Sequence, residues 1–196
     1  AVLLHLLHLA REAQSPLRLG FIMVNESRQL LVYRQAVFWQ EGLRRQVVAV
    51  SGLAEVDATS PYLQWLSGVF RFLHQHHPEL PPYVTLTAAA LPESLAVDWS
   101  QWLPAHAVWF PLGSAGALLF ASDEPWDDET LHLAQELSRI GGQGFHVASL
   151  SLCIDRVECQ RGLTGTGHTG QYHQLVSGNV HINVFQVMFI GTPDLN

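Results

Sequence analysis

The chain contains no lysine. All ten basic residues are arginine, they face seventeen acids, and the formal charge is −7. Only Arg44 and Arg45 are adjacent. Nucleic acid is held by a concentrated basic face, so this pattern argues against nucleic acid as a partner. Cysteine is almost as scarce, with Cys153 and Cys159 alone. Two thiols in 196 residues make no disulfide framework. The expected setting is therefore a reducing cytoplasm, which includes the cytoplasmic part of a larger membrane-associated protein. Long apolar runs are also missing. A membrane-crossing helix takes about 18 consecutive apolar residues. The longest candidate, residues 1–10, is shorter and is interrupted by His5 and His8. It lacks the basic start and small-residue cleavage site of a secretory signal, so no direct membrane insertion by this segment is expected. The first residue is Ala1 and not methionine, which reads as an excerpt of something longer.

Apolar residues make up 48% of the chain and charged residues 14%. That suffices for one cored domain. Leu3, Leu6, Leu7 and Ala10 repeat at helical spacing, predicting a helix over 2–14 that Ser15-Pro16 ends. Residues 17–25 and 28–39 read as two strands of a hairpin, and 45–53 as a third strand. Ser60 and Pro61 open a helix, as cap and first helical residue. Its apolar face is Tyr62, Trp65, Leu66, Val69, Phe72 and Leu73. Residues 81–91 read as an edge strand because their prolines come first, and 92–103 as a short helix. Residues 106–112 and 116–122 are two apolar strands across a glycine turn. Asp127 or Asp128 then caps a helix whose stripe is Leu133, Leu137 and Ile140, and Gly141-Gly142 ends it. Hairpins dominate this order. The expected class is α+β, with a largely antiparallel sheet of about five to six strands and helices on its faces.

The segment HAVWFPLGSAGALLFASDEPWDDETLHLAQELS, residues 106–138, carries a resemblance. A strand closes on Pro111-Leu112, a Gly116-Ala117-Leu118 strand follows, and Trp126 with Asp127-Asp128-Glu129 leads into a helix. This pattern resembles GAF domains, small-molecule sensing modules related to PAS. The resemblance spans residues 1–145. It implies a GAF-like fold, a sensory or regulatory role, and a ligand pocket between the sheet and the segment that covers it. Similar modules stand at the start of bacterial membrane-fusion (secretion adaptor) proteins and of signalling proteins. Val108, Phe110, Leu118 and Phe120 are then packing residues of the sheet.

The cover implied by the resemblance is residues 54–104. Pocket candidates are Tyr83, Asp98, Trp99 and Trp102 from it, with Ser51, Trp65 and Trp109 around it. This set has the mostly apolar, sparsely polar character of ligand sites. The competing reading is that the tryptophans simply fill volume. Specialised members of the family fit poorly. The cyclic-nucleotide pattern needs a lysine. Bilin attachment needs a cysteine in the domain or its N-terminal extension, and residues 1–152 have none. The methionine sulfoxide reductase uses cysteines within the domain, whereas here both are expected to follow the last helix. No catalytic constellation is recognised, no metal site is expected, and no cofactor is called for. His74, His76 and His77 read as a solvated helix end. Cys153, Cys159, His168 and His173 have spacing C-x5-C-x8-H-x4-H, which departs from finger spacing.

Residues 146–196 differ in composition and are set apart from the 1–145 domain, with one expected strand over 179–191. A shifted reading frame is an alternative origin for this tail. Three functions stand open: a sensory module binding an unknown small molecule, a structural GAF-like domain without ligand, and a thiol- or metal-dependent enzyme using the tail cysteines. Two routes to a homodimer also stand open, through the terminal helices or through the 179–191 strand.

Overall fold

The computed structural model describes residues 2–41 and 45–163, with side chains described as far as residue 145. The expected strand at 179–191, and His168 and His173, lie outside the described residues. The chain divides after Glu158, and apart from the bounds of the last helix everything below concerns the first unit, Ala1–Glu158.

The elements are α1 (Val2–Glu12), α2 (Pro16–Asn25), β1 (Gln35–Gln40), β2 (Gln46–Val50), α3 (Pro61–His76), β3 (Val84–Leu86), α4 (Glu93–Ala96), α5 (Trp99–Trp102), β4 (His106–Pro111), β5 (Gly116–Ser122) and α6 (Asp128–Leu163). The five strands form one antiparallel sheet in the order β2-β1-β5-β4-β3. The α+β class and the strand count agree with the sequence reading.

Three local readings are corrected. Residues 17–25 are helix, not strand, so the expected hairpin with 28–39 does not exist. Ser15 caps this helix, its Oγ accepting from Arg18 N at 3.2 Å, and Pro16 occupies the first turn. Ser15-Pro16 therefore starts a helix by the same chemistry as Ser60-Pro61, where Ser60 Oγ accepts from Leu63 N at 3.4 Å. The apolar run is helical because Leu19, Ile22 and Met23 fall on one buried stripe. Gly141-Gly142 does not end the last helix, which runs on to Leu163. Cys153 and Cys159 consequently belong to that helix and do not follow it.

The sheet is covered on both faces, which is why its strands read as continuous apolar runs. On β1, β4 and β5 the side chains alternate between two cores. Phe38, Val108, Phe110, Leu118 and Phe120 pack with α1, α2 and α6. Val37, Trp39, Ala107, Trp109 and Leu119 pack with α3 and its followers. A bulge on the β1–β2 ladder breaks the register between Phe38 and Trp39. It lets Val48 and Ala49, adjacent in sequence, both enter the first core. The second core lies beneath a roof made of α3, α4 and α5.

Candidate functional site

The roof is built by one long helix and two short ones. α3 buries Leu63, Trp65, Leu66, Val69, Phe70 and Leu73. α4 and α5 have four residues each and follow Pro92 and Asp98. Chain segments this short are held by their side chains, and the tryptophans do that here. Trp65 Nε1 donates to Leu95 O at 3.0 Å, fastening α3 to α4. Trp99 Nε1 donates to Pro104 O at 2.8 Å. The two indoles meet edge to face at 6.1 Å. On the sheet below, Trp39 stacks flat on Phe70 at 5.3 Å. Tyr62 stacks on Trp102 at 5.4 Å near the start of α3. His77, which ends α3, lies 5.9 Å from the ring of Trp109 on β4.

Two polar atoms under this roof have no hydrogen-bond partner among the described residues. They are Trp109 Nε1 and Tyr62 Oη. Burial pushes the Tyr62 phenol well above its ordinary range, so the group stays protonated and keeps its donor. The fully buried polar residues described are Ser27, Ser51 and Ser138, and no charged side chain joins them. The roofed face thus presents ring faces and hydrogen-bonding groups.

The structure brings four of the seven pocket candidates together: Trp65, Trp99, Trp102 and Trp109 all belong to the roofed core or pack against it. Tyr83 lies across the sheet, packed on the other core and 5.9 Å from Phe110. Its place follows from strand alternation, since Thr85 opposes Val108 and position 83 shares that face. Ser51 is a clasp at the end of β2, its Oγ accepting from Ala36 N at 2.8 Å. Asp98 is half-buried just before α5 and makes no side-chain cap bond. Among the histidines, His76 Nδ1 lies 2.9 Å from Phe72 O, and His77 Nδ1 lies 3.4 Å from Glu79 Oε1. Among the described residues no group of three or more His, Cys, Asp or Glu is placed to hold a metal.

No family model matches the chain, and no curated protein matches it. Solved structures do. A methyl-accepting chemotaxis protein fragment, residues 122 to 287, superposes with a TM-score of 0.53 at 12% identity, over 74% of this chain and 97% of that one. The GAF domain of an Acinetobacter phosphoenolpyruvate-protein phosphotransferase gives 0.52 at 15% identity, over 79% and 95%. A bacteriophytochrome from R. palustris gives 0.59 at 10% identity, over 83% of this chain but only 40% of that one. The fold is GAF-like.

In the GAF-like frame, the roofed face is where the sequence resemblance placed a pocket. Sequence reading missed Trp39, Phe70, Tyr62 and His77 as members of it. Trp39 had a signal, since it alternates with Val37 on one strand face. Phe70 stands four residues after Leu66 and one turn before Leu73, and so was also within reach of helical periodicity. That Tyr62 and Trp109 lack partners depends on tertiary packing, and no local pattern encodes it.

Proposed function

We propose that this domain is a non-catalytic sensory or regulatory module that takes a small molecule between the sheet and the α3–α5 roof. The observation that carries this reading is the pair of buried, unpartnered groups Trp109 Nε1 and Tyr62 Oη on the roofed face. A buried donor without an acceptor costs free energy, and such groups are uncommon enough to call for an explanation. A ligand offering an oxygen acceptor to Trp109 Nε1 would supply one for that group. Neighbours of similar fold include a chemotaxis receptor fragment and a bacteriophytochrome, and that context suits signalling. α4 and α5 are the parts of the roof to move, because each is a single turn of helix with few backbone bonds of its own.

One rival has an observation in its favour. Trp39, Phe70, Trp65 and Trp99 already fill the space beneath the roof, each no more than 7% exposed, and this tight packing suits a structural domain without ligand. A thermal-shift screen with nucleotides, amino acids and tetrapyrroles separates the two. A ligand at about a hundred times its Kd raises stability by ~2.7 kcal/mol. The sensory reading expects such a rise from one class, and expects Trp109→Phe to abolish it. No rise from any class, with Trp109→Phe as stable as the parent, would favour the structural rival.

A further inference from the structure

A hollow lies at the opposite end of the sheet from the β2 edge. β3 is an edge strand, paired only with β4. Its partners run Val84 with Trp109, Thr85 with Val108 and Leu86 with Ala107. The chain remains extended at Thr87, with φ −131° and ψ 173°. One more step of the same register therefore sets Thr87 beside His106. His106 in turn faces Ser122 on β5. Thr85, Thr87, His106 and Ser122 thus share one face of the sheet. A hollow of about 390 Å³ opens there, lined by Thr85, Thr87 and His106 and walled by Pro125 and Trp126. Neither Trp109 nor the roof tryptophans Trp65, Trp99 and Trp102 line it.

The turn that supplies the Pro125-Trp126 wall is acidic. Asp123 is engaged by Arg34 at 3.1 Å. Asp127 caps α6, its Oδ1 accepting from Thr130 N at 2.7 Å. Among the described residues no ion pair engages Glu124, Asp128 or Glu129. No basic side chain other than His106 lines the hollow. An indole wall and hydroxyl oxygens, supplied in part by a turn rich in carboxylates, are complementary to a positive charge attached to an apolar body. The volume falls in the range that small-molecule sites occupy.

We propose that this hollow is a binding site for a small organic ammonium ion. The ammonium group lies over the face of Trp126, where the ring quadrupole attracts it and the negative charge of the turn adds to the attraction. The Thr85 and Thr87 hydroxyls accept its hydrogen bonds, and its apolar body rests on Pro125. This site is independent of the roofed face.

The test is a titration with three probes of one shape: benzylammonium, benzyl alcohol and benzoate. The readout is the indole and imidazole NMR signals of the whole chain. Benzylammonium is expected to shift the Trp126 and His106 signals saturably, with benzyl alcohol at least fivefold weaker and benzoate weaker still. Trp126→Leu should weaken benzylammonium binding roughly threefold or more, and Glu124→Gln should narrow its preference over the alcohol. Because Trp126 also packs on the core, the exposed Glu124→Gln variant carries the test if Trp126→Leu does not fold. Equal binding of the alcohol, tighter binding of benzoate, or no saturable shift at Trp126 would overturn the proposal. Shifts confined to Trp109 and Trp99 would overturn it too, while supporting a ligand under the roof.

Discussion

At the scale of single residues, three positions separate strain, satisfaction and orphaned polarity. Gly116 opens β5 with φ 138°, and a β-carbon there would overlap the Trp39 carbonyl oxygen. Both backbone conformation and space exclude a side chain. Gly116→Ala should cost about 3 kcal/mol or more in urea unfolding. Tyr33 and Tyr62 are both buried phenols with opposite accounts. Tyr33 Oη donates to Val24 O at 2.7 Å, and Ser27 Oγ, 2.7 Å away, donates to it in turn. Tyr33→Phe strands Val24 O and should cost ~1–3 kcal/mol. Tyr62 Oη has no such bond, so Tyr62→Phe should be neutral or stabilising, by up to about 1 kcal/mol. Burial raises both phenols above the ordinary value of 10.0, with the Ser27 hydrogen bond and the Arg28 charge partly opposing it at Tyr33. The folded state therefore holds these protons more tightly than the unfolded chain. This stability is complete below pH ~10 and is lost as pH rises through the folded values. Chemical unfolding measured on both sides of pH 10 should show the loss, and Tyr62→Phe should reduce it.

At the scale of elements, helices begin where the sequence says and end where packing says. Ser60 and Asp127 were legible as caps because one side chain and one nearby amide decide them. Ser60→Ala should lower stability by about 1 kcal/mol. Ser15-Pro16 was equally local, yet it was read as a stop because the apolar run after it looked strand-like. Short apolar runs carry that ambiguity, and the choice fell to Leu19 and Met23 meeting the sheet. Gly141-Gly142 failed for a related reason. Gly141 serves close packing instead of termination, since a β-carbon there would meet Met23 Cε at 2.9 Å. A β-carbon at Gly144 would meet Ala10 O at 3.1 Å, whereas one at Gly142 meets only Leu112 Cβ at 3.8 Å. Gly142→Ala should therefore stabilise by ~0.5–1 kcal/mol through helix propensity. Gly144→Ala should lose that gain and cost about 1 kcal/mol, because α1 backbone cannot yield as a side chain can. Thermal unfolding of the two variants, side by side, checks the contrast.

At the scale of the whole molecule, the layered arrangement of helices, sheet and roof was legible in outline. Strands apolar on both sides imply a sheet covered on both faces, and Pro111-Leu112 through Glu129 carried the GAF resemblance. The site was legible only in part. Trp65, Trp99, Trp102 and Trp109 converge, but Tyr83 went to the other face and Ser51 to a strand clasp, because both outcomes depend on register. The proposed function requires a roof that opens over a rigid sheet. Native-state hydrogen exchange tests it without a known ligand. Amides of α4 and α5, and the Trp109 indole N–H, should exchange through openings well below the global unfolding free energy, while β1, β4 and β5 exchange only with global unfolding. Exchange of roof and sheet at one common free energy would contradict the account.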